Sequence, residues 1–257
     1  MLTDAVLLAG RHNRGPLLGV SNAPWEALVP IGGRPMAAWV VDAALACPGI
    51  GRLAVVGPPE LRLAIADRAS ERLVMVAPEG SMFDNLRRGV AALGNPDALI
   101  LILTSDIPLV RSGMLEVFLE RALAREPRAD FYYPVVPKEA VELRFGKSHR
   151  TYVRLREGVF TGGNVALVRP GVLDRMAREV ETFMALRKSP LKLARRLGWP
   201  FLLRFLIGRP TISQVEAHFS ALFGVRGQAV IVTDAEIGVD VDKPEDVALC
   251  EAVLAHA

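Results

Sequence analysis

The stretch ALILILTSDIP, residues 98–108, is apolar over its first six residues and ends in a polar turn that carries an aspartate. A run that is apolar on both faces is typical of a strand buried inside a parallel sheet. Three earlier runs have the same character: Ala5–Ala9, Leu53–Val56 and Leu73–Val76. We therefore predict that Ala98–Leu103 is the fourth of four buried parallel strands.

Segments of helical period separate these strands. Met36, Val40, Ala43 and Ala44 recur at intervals of three and four, and Pro59–Ala69 and Met82–Leu93 show a similar pattern. After the fourth strand, Ser112 is predicted to cap a helix. The buried face of that helix would be Leu115, Phe118, Leu119 and Ala122. Such alternation predicts an α/β fold with a mainly parallel sheet and helices on both of its faces.

The pattern changes after Asp130. Further strands are predicted at Phe131–Val136, Thr151–Leu155 and Asn164–Val168, with a polar, basic loop at Lys138–Arg150. A helix-rich stretch runs from Gly171 to about Leu222, followed by a strand at Ala229–Val232. Pro244 opens the last helix, whose buried face would be Val247, Cys250 and Leu254. We interpret residues 1–257 as one domain with a basic helical insertion at about 174–225.

The composition is that of a globular protein, with 51% hydrophobic and 23% charged residues. The sequence has no run of eighteen or more apolar residues that would predict a membrane-spanning helix. The first residues also lack the pattern of a signal peptide, so we expect a cytoplasmic protein. A net charge of +3 does not favour nucleic acid as a partner. Cys47 and Cys250 are expected to be buried thiols, and the four histidines lack metal-ligand spacing.

Asp106 follows the fourth strand directly, and Pro108 stiffens the loop behind it. Ligands bind at the carboxyl ends of parallel strands, where a carboxylate can hold a metal ion over phosphates. A turn or helix-cap role is the alternative. Because Ser112 is available as a cap, we favour the metal-ligand interpretation of Asp106.

Asp240 and Asp242 alternate in an extended stretch, which places both on the same side of the chain. Like charges in this arrangement repel each other unless a cation lies near them. Asp242 is also at a suitable distance to cap the final helix, and one residue can serve both purposes.

A third segment, LLAG at residues 7–10, ends a strand at a glycine and is followed by Arg11 and Arg14. Exposed backbone amides and guanidinium groups complement phosphate oxygens. A glycine turn with solvated arginines explains this segment equally well.

Together these segments resemble the MobA-like nucleotidyltransferases, which are related to the cytidylyl-, guanylyl- and sugar-phosphate nucleotidyltransferases. The resemblance rests on LLAG, EALVPIGGRPM, GSMFDNLRRGV, SDIP, TGGN and DVDKPEDV, which occur in the family's order. It implies a Rossmann-like, three-layer α/β/α fold of the nucleotide-diphospho-sugar transferase type, with a mainly parallel mixed sheet.

The resemblance also implies roles for individual residues. Leu8, Ala9 and Gly10, with Arg11 behind them, would bind the nucleotide, and Gly80 and Ser81 would help to select its base. Asp106 and Asp242 would be the catalytic metal ligands, with Asp240 as the competing choice for the second. Gly163 and Asn164 would lie on the acceptor side.

The implied reaction transfers a nucleoside monophosphate from a nucleoside triphosphate, GTP or CTP, to a small phosphorylated acceptor and releases pyrophosphate. Mg²⁺ or Mn²⁺ would be the cofactor. A glycosyltransferase that uses a nucleotide sugar is the rival enzyme, although it usually has paired acids at the position of Asp106. A catalytically idle nucleotide-binding protein is the third hypothesis.

Two departures from the family pattern motivate that third hypothesis. Arg11 and His12 stand where the family usually has further glycine, and Glu26 stands where it normally has a lysine that meets the phosphates. A carboxylate there reverses the sign of the contact. We predict Arg14 as a catalytic cation. The residues that could compensate the charge of Glu26 are Arg11, Arg14, Lys147, Arg150 and Arg154.

Between Thr182 and Val215 the chain has no Asp or Glu but seven Lys and Arg. Large apolar residues, including Trp199, are interleaved with the basic ones over residues 183–209. One hypothesis is peripheral contact with an anionic membrane. A lid over a polyanionic substrate, a dimer interface and an ordinary solvated face over the core are the alternatives, and the last is the commonest in proteins.

Overall fold

The computed structural model describes residues 2–68, 70–146, 150–186 and 189–256. Several residues considered above lie outside these ranges: Ala69, Lys147, His149, Arg187 and Lys188.

A nine-stranded sheet forms the centre of the fold. In chain order, the strands of the main sheet and of a separate two-stranded ribbon are β1 (Thr3–Leu8), β2 (Pro30–Ile31), β3 (Arg34–Pro35), β4 (Ile50–Val56), β5 (Leu73–Val76), β6 (Ile100–Thr104), β7 (Phe131–Pro137), β8 (Val153–Leu155), β9 (Gly158–Gly162), β10 (Val165–Val168) and β11 (Gly227–Ile231). The order in the sheet is β5-β4-β1-β6-β10-β7-β9-β8, with β11 paired to β7, while β2 and β3 form a separate ribbon. The four strands β5, β4, β1 and β6 are mutually parallel, as predicted.

Antiparallel pairing begins at β10, which lies between β6 and β7. The segments β9 and β10 follow each other along the same side of β7, with a break at Gly163 and Asn164. At this break the Gly163 amide donates to the Pro134 carbonyl and the Asn164 amide donates to the Ile237 carbonyl. The bend therefore joins β7 to the segment that precedes the last helix.

Helices cover both faces of the sheet. They are α1 (Met36–Ala46), α2 (Pro59–Ala64), α3 (Met82–Leu93), α4 (Ser112–Leu123), α5 (Lys138–Phe145), α6 (Leu173–Leu186), α7 (Pro190–Leu197), α8 (Trp199–Ile207), α9 (Ile212–Phe223) and α10 (Pro244–Leu254). Leu7 points into a core formed with α1 and α4, whereas its neighbour Val6 points to the opposite face, toward α3 and α6. This alternation along β1 produces the three layers, and the predicted α/β/α class is confirmed.

The predicted elements match closely where the apolar pattern is strong. The strand Leu73–Val76 and the helix Met82–Leu93 have the predicted bounds, and α4 buries the predicted face. The predicted cap of α4 was wrong, because Arg111 occupies the N-cap position and its side chain makes no capping hydrogen bond. Ser112 is the first residue of the helix itself.

The predicted loop at Lys138–Arg150 was also wrong in its first part, which forms α5. Val141 is the buried residue of this helix, so the sequence carries almost no apolar period there. Strand β9 was missed as well. The predicted helix-rich stretch is confirmed as α6–α9, which pack through aromatic contacts such as Phe183 on Phe223 and Phe201 on His218.

Two of the simpler expectations are confirmed. Cys47 and Cys250 are buried free thiols. Over the described part of the chain, the structure contains no helix that is both long and apolar enough to cross a bilayer.

Candidate functional site

Three aspartates meet at the edge of the sheet where the parallel strands end. Carboxylate oxygens of Asp106, Asp240 and Asp242 all lie within 4.8 Å of one another. Asp106 follows β6, whereas Asp240 and Asp242 come from the extended segment before α10. The Val241 amide donates to the Asp106 carbonyl oxygen at 2.8 Å and holds the two segments together.

The side chains of this segment alternate, as the sequence predicts. Val239 and Val241 are buried, while Asp240 and Asp242 point to the other side, toward Asp106. The alternative role of Asp242 as a helix cap was wrong. Lys243 is the N-cap of α10, and the Asp246 carboxylate accepts hydrogen bonds from the amides of Asp242 and Lys243. The Asp242 carboxylate thus remains directed at the other two acids.

Thr104, the last residue of β6, orients the Asp106 side chain. Its hydroxyl donates to the Asp106 carboxylate and lies 3.2 Å from the Asn164 carbonyl oxygen. Asn164 is thereby tied to both β6 and the segment after β11. Sequence reasoning did not single out Thr104, although a hydroxyl two residues before a strand-end aspartate is within reach of it.

Two arginines partly neutralise the cluster. Arg150 Nη1 lies 2.9 Å from Asp240 Oδ1, and Arg11 Nη1 lies 3.7 Å from Asp242 Oδ1. Arg11 Nε also lies 3.2 Å from Glu26 Oε1. Glu26 is only 7% exposed, and Asp242 and Asp106 are near enough to act on it electrostatically. Its negative charge therefore adds to that of the three aspartates.

This arrangement selects among the residues proposed to compensate Glu26. Arg11 is the partner of Glu26, whereas Arg150 pairs with Asp240. Arg14 and Arg154 are exposed, and within the described ranges neither forms an ion pair with the cluster. Among the described residues, four carboxylates thus face two guanidinium groups, an excess of two negative charges when all four acids are ionised.

The pKa values of Asp106, Glu26 and Asp242 are raised, chiefly by burial and in smaller part by the neighbouring acids. Burial raises the pKa of Asp106 to about 6; the Thr104 hydrogen bond opposes this change, and Asp240 and Asp242 add to it. Burial also raises the pKa of Glu26, against the effect of Arg11, and it raises the pKa of Asp242 with help from Asp240. The ionised forms of these three carboxyls are thus destabilised, and a divalent cation would offset that destabilisation.

On the proposed nucleotide side, the end of β1 lies beside the end of β6. The Ser105 amide donates to the Leu8 carbonyl at 3.2 Å, and the Ala9 amide donates to Val56. A Cβ atom on Gly10 would lie 2.6 Å from Pro78 Cβ, so a glycine is required where these two loops touch. The loop after β5 is therefore folded back onto the loop after β1.

Gly80 and Ser81 lie in that second loop. Gly80 has φ +73°, and the Ser81 hydroxyl both accepts from the Asp84 amide and donates to the Asp84 carboxylate. These contacts form the capping box at the start of α3. The hydroxyl of Ser81 is committed to the helix cap, which leaves backbone groups as the means by which this turn could contact a base.

On the opposite side of the acids lies a cleft of about 970 Å³. Its walls include Tyr133, Arg150, Thr161, Gly162, Asn164, Asp240 and Asp242. Asn164, predicted on the acceptor side, lines this cleft. Gly163 faces away from it, since a Cβ atom there would lie 2.7 Å from Ile237 and 2.8 Å from Pro134. The sequence analysis proposed Arg150 only as a compensating charge for Glu26 and did not identify Tyr133, because distant elements bring both residues to this cleft.

Residues 5–206, most of the chain, match the family model described as a MobA-like NTP transferase domain. A solved structure described as a hypothetical transferase from Thermus thermophilus is 36% identical, with a TM-score of 0.79 over 96% of this chain and 100% of the other. The structure of CMP:2-keto-3-deoxy-manno-octonic acid synthetase complexed with CTP is 17% identical, with a TM-score of 0.62 over 99% of each chain, and so shares the fold. None of the curated proteins compared with the chain matches it.

The raised pKa of Asp106 leads to a pH-dependent stability. A proton binds more tightly to this carboxyl in the folded than in the unfolded protein. The resulting contribution to the free energy of unfolding is fully present below pH 3.8 and is lost as pH rises through about 6. Without divalent cations, we expect Asp106→Asn to be more stable than the wild type at pH 7.5, and the difference to shrink toward pH 5. Urea denaturation at both pH values measures this.

Asp97→Asn, which removes an exposed carboxylate away from the cleft, is the matched control. An Asp106→Asn variant that is no more stable than the wild type at pH 7.5 would contradict the assignment of a strained carboxylate cluster.

Proposed function

The chain belongs to the MobA-like NTP transferase family, and from this membership we propose that it transfers a nucleoside monophosphate from CTP or GTP to a phosphorylated acceptor, with release of pyrophosphate. The observation that carries the proposal is the meeting of Asp106, Asp240 and Asp242 between the nucleotide loops and a large open cleft. Carboxylate oxygens are the ligands that Mg²⁺ prefers in proteins.

These three residues suit a divalent cation, since their carboxylates converge and carry more negative charge than Arg11 and Arg150 offset. Mg²⁺ or Mn²⁺ bound there would act as a Lewis acid and template for the phosphates. Thr104 keeps the Asp106 carboxylate oriented toward that position. Asp240 would be held in place by Arg150 while its charge is shared with the bound ion.

The remaining residues of the site would bind and position the reactants. Arg11 and Arg14 lie in the loop after β1, where the triphosphate would pass over the Ala9 and Gly10 backbone. The acceptor would lie in the cleft next to Asn164. A phosphate oxygen of the acceptor then forms a bond to the α-phosphorus as the bond to pyrophosphate breaks. Fixed geometry and neutralised charge lower the barrier of such a reaction more than acid–base chemistry does.

The choice of CTP or GTP draws on the family resemblance and on the fold shared with a synthetase that was solved with CTP. The glycosyltransferase alternative is less favoured because the acids near Asp106 come from the distant segment at 240–242, not from its own loop. The idle-protein alternative loses part of its motivation as well, since Arg11 offsets the charge of Glu26.

Pyrophosphate release tests the proposed function. Purified protein with Mg²⁺, each of the four nucleoside triphosphates and a panel of phosphorylated acceptors should release pyrophosphate with CTP or GTP. Asp106→Asn should lower the rate by about 10²-fold or more, because charge at the reacting phosphate would lose its stabilisation. Asp97→Asn is expected to keep the wild-type rate. Retained nucleotide binding without turnover across the whole panel would favour the idle-protein alternative.

For the basic insertion we propose peripheral contact with an anionic membrane, on the cytoplasmic side. Trp199, Leu203 and Phe205 on α8 are 53%, 47% and 37% exposed. Exposed basic residues share the same helices and their ends: Lys192, Arg195, Arg204 and Arg209. Each basic residue near an anionic surface contributes about 1 kcal/mol of attraction, and the exposed aromatic and leucine side chains add apolar area.

Co-sedimentation with vesicles tests this contact. At low salt the protein should sediment with vesicles that contain phosphatidylserine but not with pure phosphatidylcholine, and the double variant Trp199→Ser, Leu203→Ser should bind less. Leu143→Ser, at a residue of α5 that is 90% exposed, is the control for loss of an exposed apolar group. Absence of binding to anionic vesicles at low salt rules out the membrane contact.

A further inference from the structure

A second cavity, of about 340 Å³, lies between α9 and the face of the sheet formed by β7, β8 and β11. The side chains that line it are apolar except for Glu216 and Gln228. The strands contribute Phe131, Tyr133, Val135, Leu155 and Ala229, and the helix contributes Ile212, Val215 and Phe219. A concave, mostly apolar pocket of 300 to 1,000 Å³ is the usual form of a small-molecule site.

The two polar side chains on this wall have partners away from the cavity. Glu216 Oε1 accepts from Arg125 at 3.0 Å and from the Ala229 amide at 2.8 Å. The Gln228 side-chain nitrogen donates to the Pro127 carbonyl at 2.9 Å, whereas the buried Gln228 Oε1 has no hydrogen-bond partner among the described residues. What the cavity presents to an occupant is therefore hydrocarbon and aromatic surface, such as Phe131 stacked on Phe219 at 5.5 Å. A concave surface of this kind is suited to bind apolar groups.

Tyr133 belongs to both the apolar cavity and the acidic cleft. Its hydroxyl lies over Gly162, where a Cβ atom would approach it to 2.4 Å, so the glycine makes room for the ring between the two spaces. The hydroxyl is close enough to Asp240 that this carboxylate, after burial, helps to raise the pKa of Tyr133. The apolar cavity thus adjoins, at Tyr133, the cleft in which the acceptor phosphate would lie.

We propose that this cavity holds the hydrocarbon portion of the acceptor, so that the acceptor is an anionic amphiphile such as an alkyl or prenyl phosphate. Its phosphate would lie in the cleft at the three aspartates, and its chain would pass Tyr133 into the space under α9. This inference rests on the proposed function, in which an acceptor phosphate oxygen bonds to the α-phosphorus and pyrophosphate leaves. The product is a nucleoside diphosphate ester of the amphiphile.

The contrast between the two spaces argues against a wholly polar acceptor. A wholly polar acceptor would bind in the cleft alone, whose walls carry charged and amide groups. The apolar cavity would then remain empty, with its apolar walls exposed to water. Filling that surface with methylene groups is favourable by about 0.8 kcal/mol for each group buried, which corresponds to about a fourfold gain in affinity. Chain length is therefore the variable that reports on the cavity.

Calorimetric titration with butyl, hexyl and octyl phosphate, below their micellar concentrations, tests the inference. Inorganic phosphate is the reference, Mg²⁺ is present and nucleotide is left out. Affinity should rise by about fourfold for each methylene until the cavity is filled. Val215→Trp, which fills the cavity from α9, should abolish this dependence while phosphate binding is kept. Ala229→Phe fills the same space from β11 and serves if the first variant does not fold.

Leu143→Trp, at an exposed position of α5, controls for the added indole and should behave as the wild type. Affinity that is independent of chain length overturns the inference, and so does a dependence that persists in both filled variants. The same acceptors are then assayed for pyrophosphate release. Turnover that is equal for short and long acceptors also overturns it while leaving the proposed function standing. Chain-length-dependent binding without turnover instead counts against the proposed function and supports the apolar site.

Discussion

The site depends on the fold holding three carboxylates close together against their mutual repulsion. Asp106 and the pair Asp240 and Asp242 are separated by more than 130 residues, yet the Val241 amide donates to the Asp106 carbonyl and fixes their approach. Buried Val239 and Val241 hold the extended segment in place from below. Packing in the core thus offsets the repulsion between these like charges. A bound cation would reduce that repulsion and stabilise the folded chain.

Much of this arrangement could be predicted from local pattern. The apolar run before Asp106 marks a central strand, and the period of two at residues 239–242 places both later aspartates on one side. Helix α5 could not be predicted, because it is short and Val141 is its one fully buried residue. The predicted cap of α4 was wrong for another reason. A serine near a helix start is only a statistical signal, and here Arg111 occupies the N-cap position without a side-chain capping hydrogen bond.

The partners of the acids were less accessible to sequence reasoning. Arg11 and Asp242 lie near opposite ends of the chain, and Arg150 is 90 residues away from Asp240 in sequence. Which arginine meets which carboxylate is decided by side-chain reach in the folded chain. The glutamate in place of the family's lysine shows the same point, because Glu26 is buried against Arg11 and becomes part of the negative cluster instead of an isolated defect. Tyr133 likewise gained its place between the cleft and the apolar cavity only through the pairing of β7 with β9.

Direct measurement of cation binding tests the central claim, that carboxylates from two distant segments share one ion. Mn²⁺ titration followed by electron paramagnetic resonance would count bound ions in the wild type, Asp106→Asn, Asp242→Asn and the double variant. We expect one tight Mn²⁺ per chain, displaced by Mg²⁺, and a loss in each single variant nearly as large as in the double variant, because each removes a ligand of the same ion. Additive losses, or tight binding that survives in Asp242→Asn, would contradict the account.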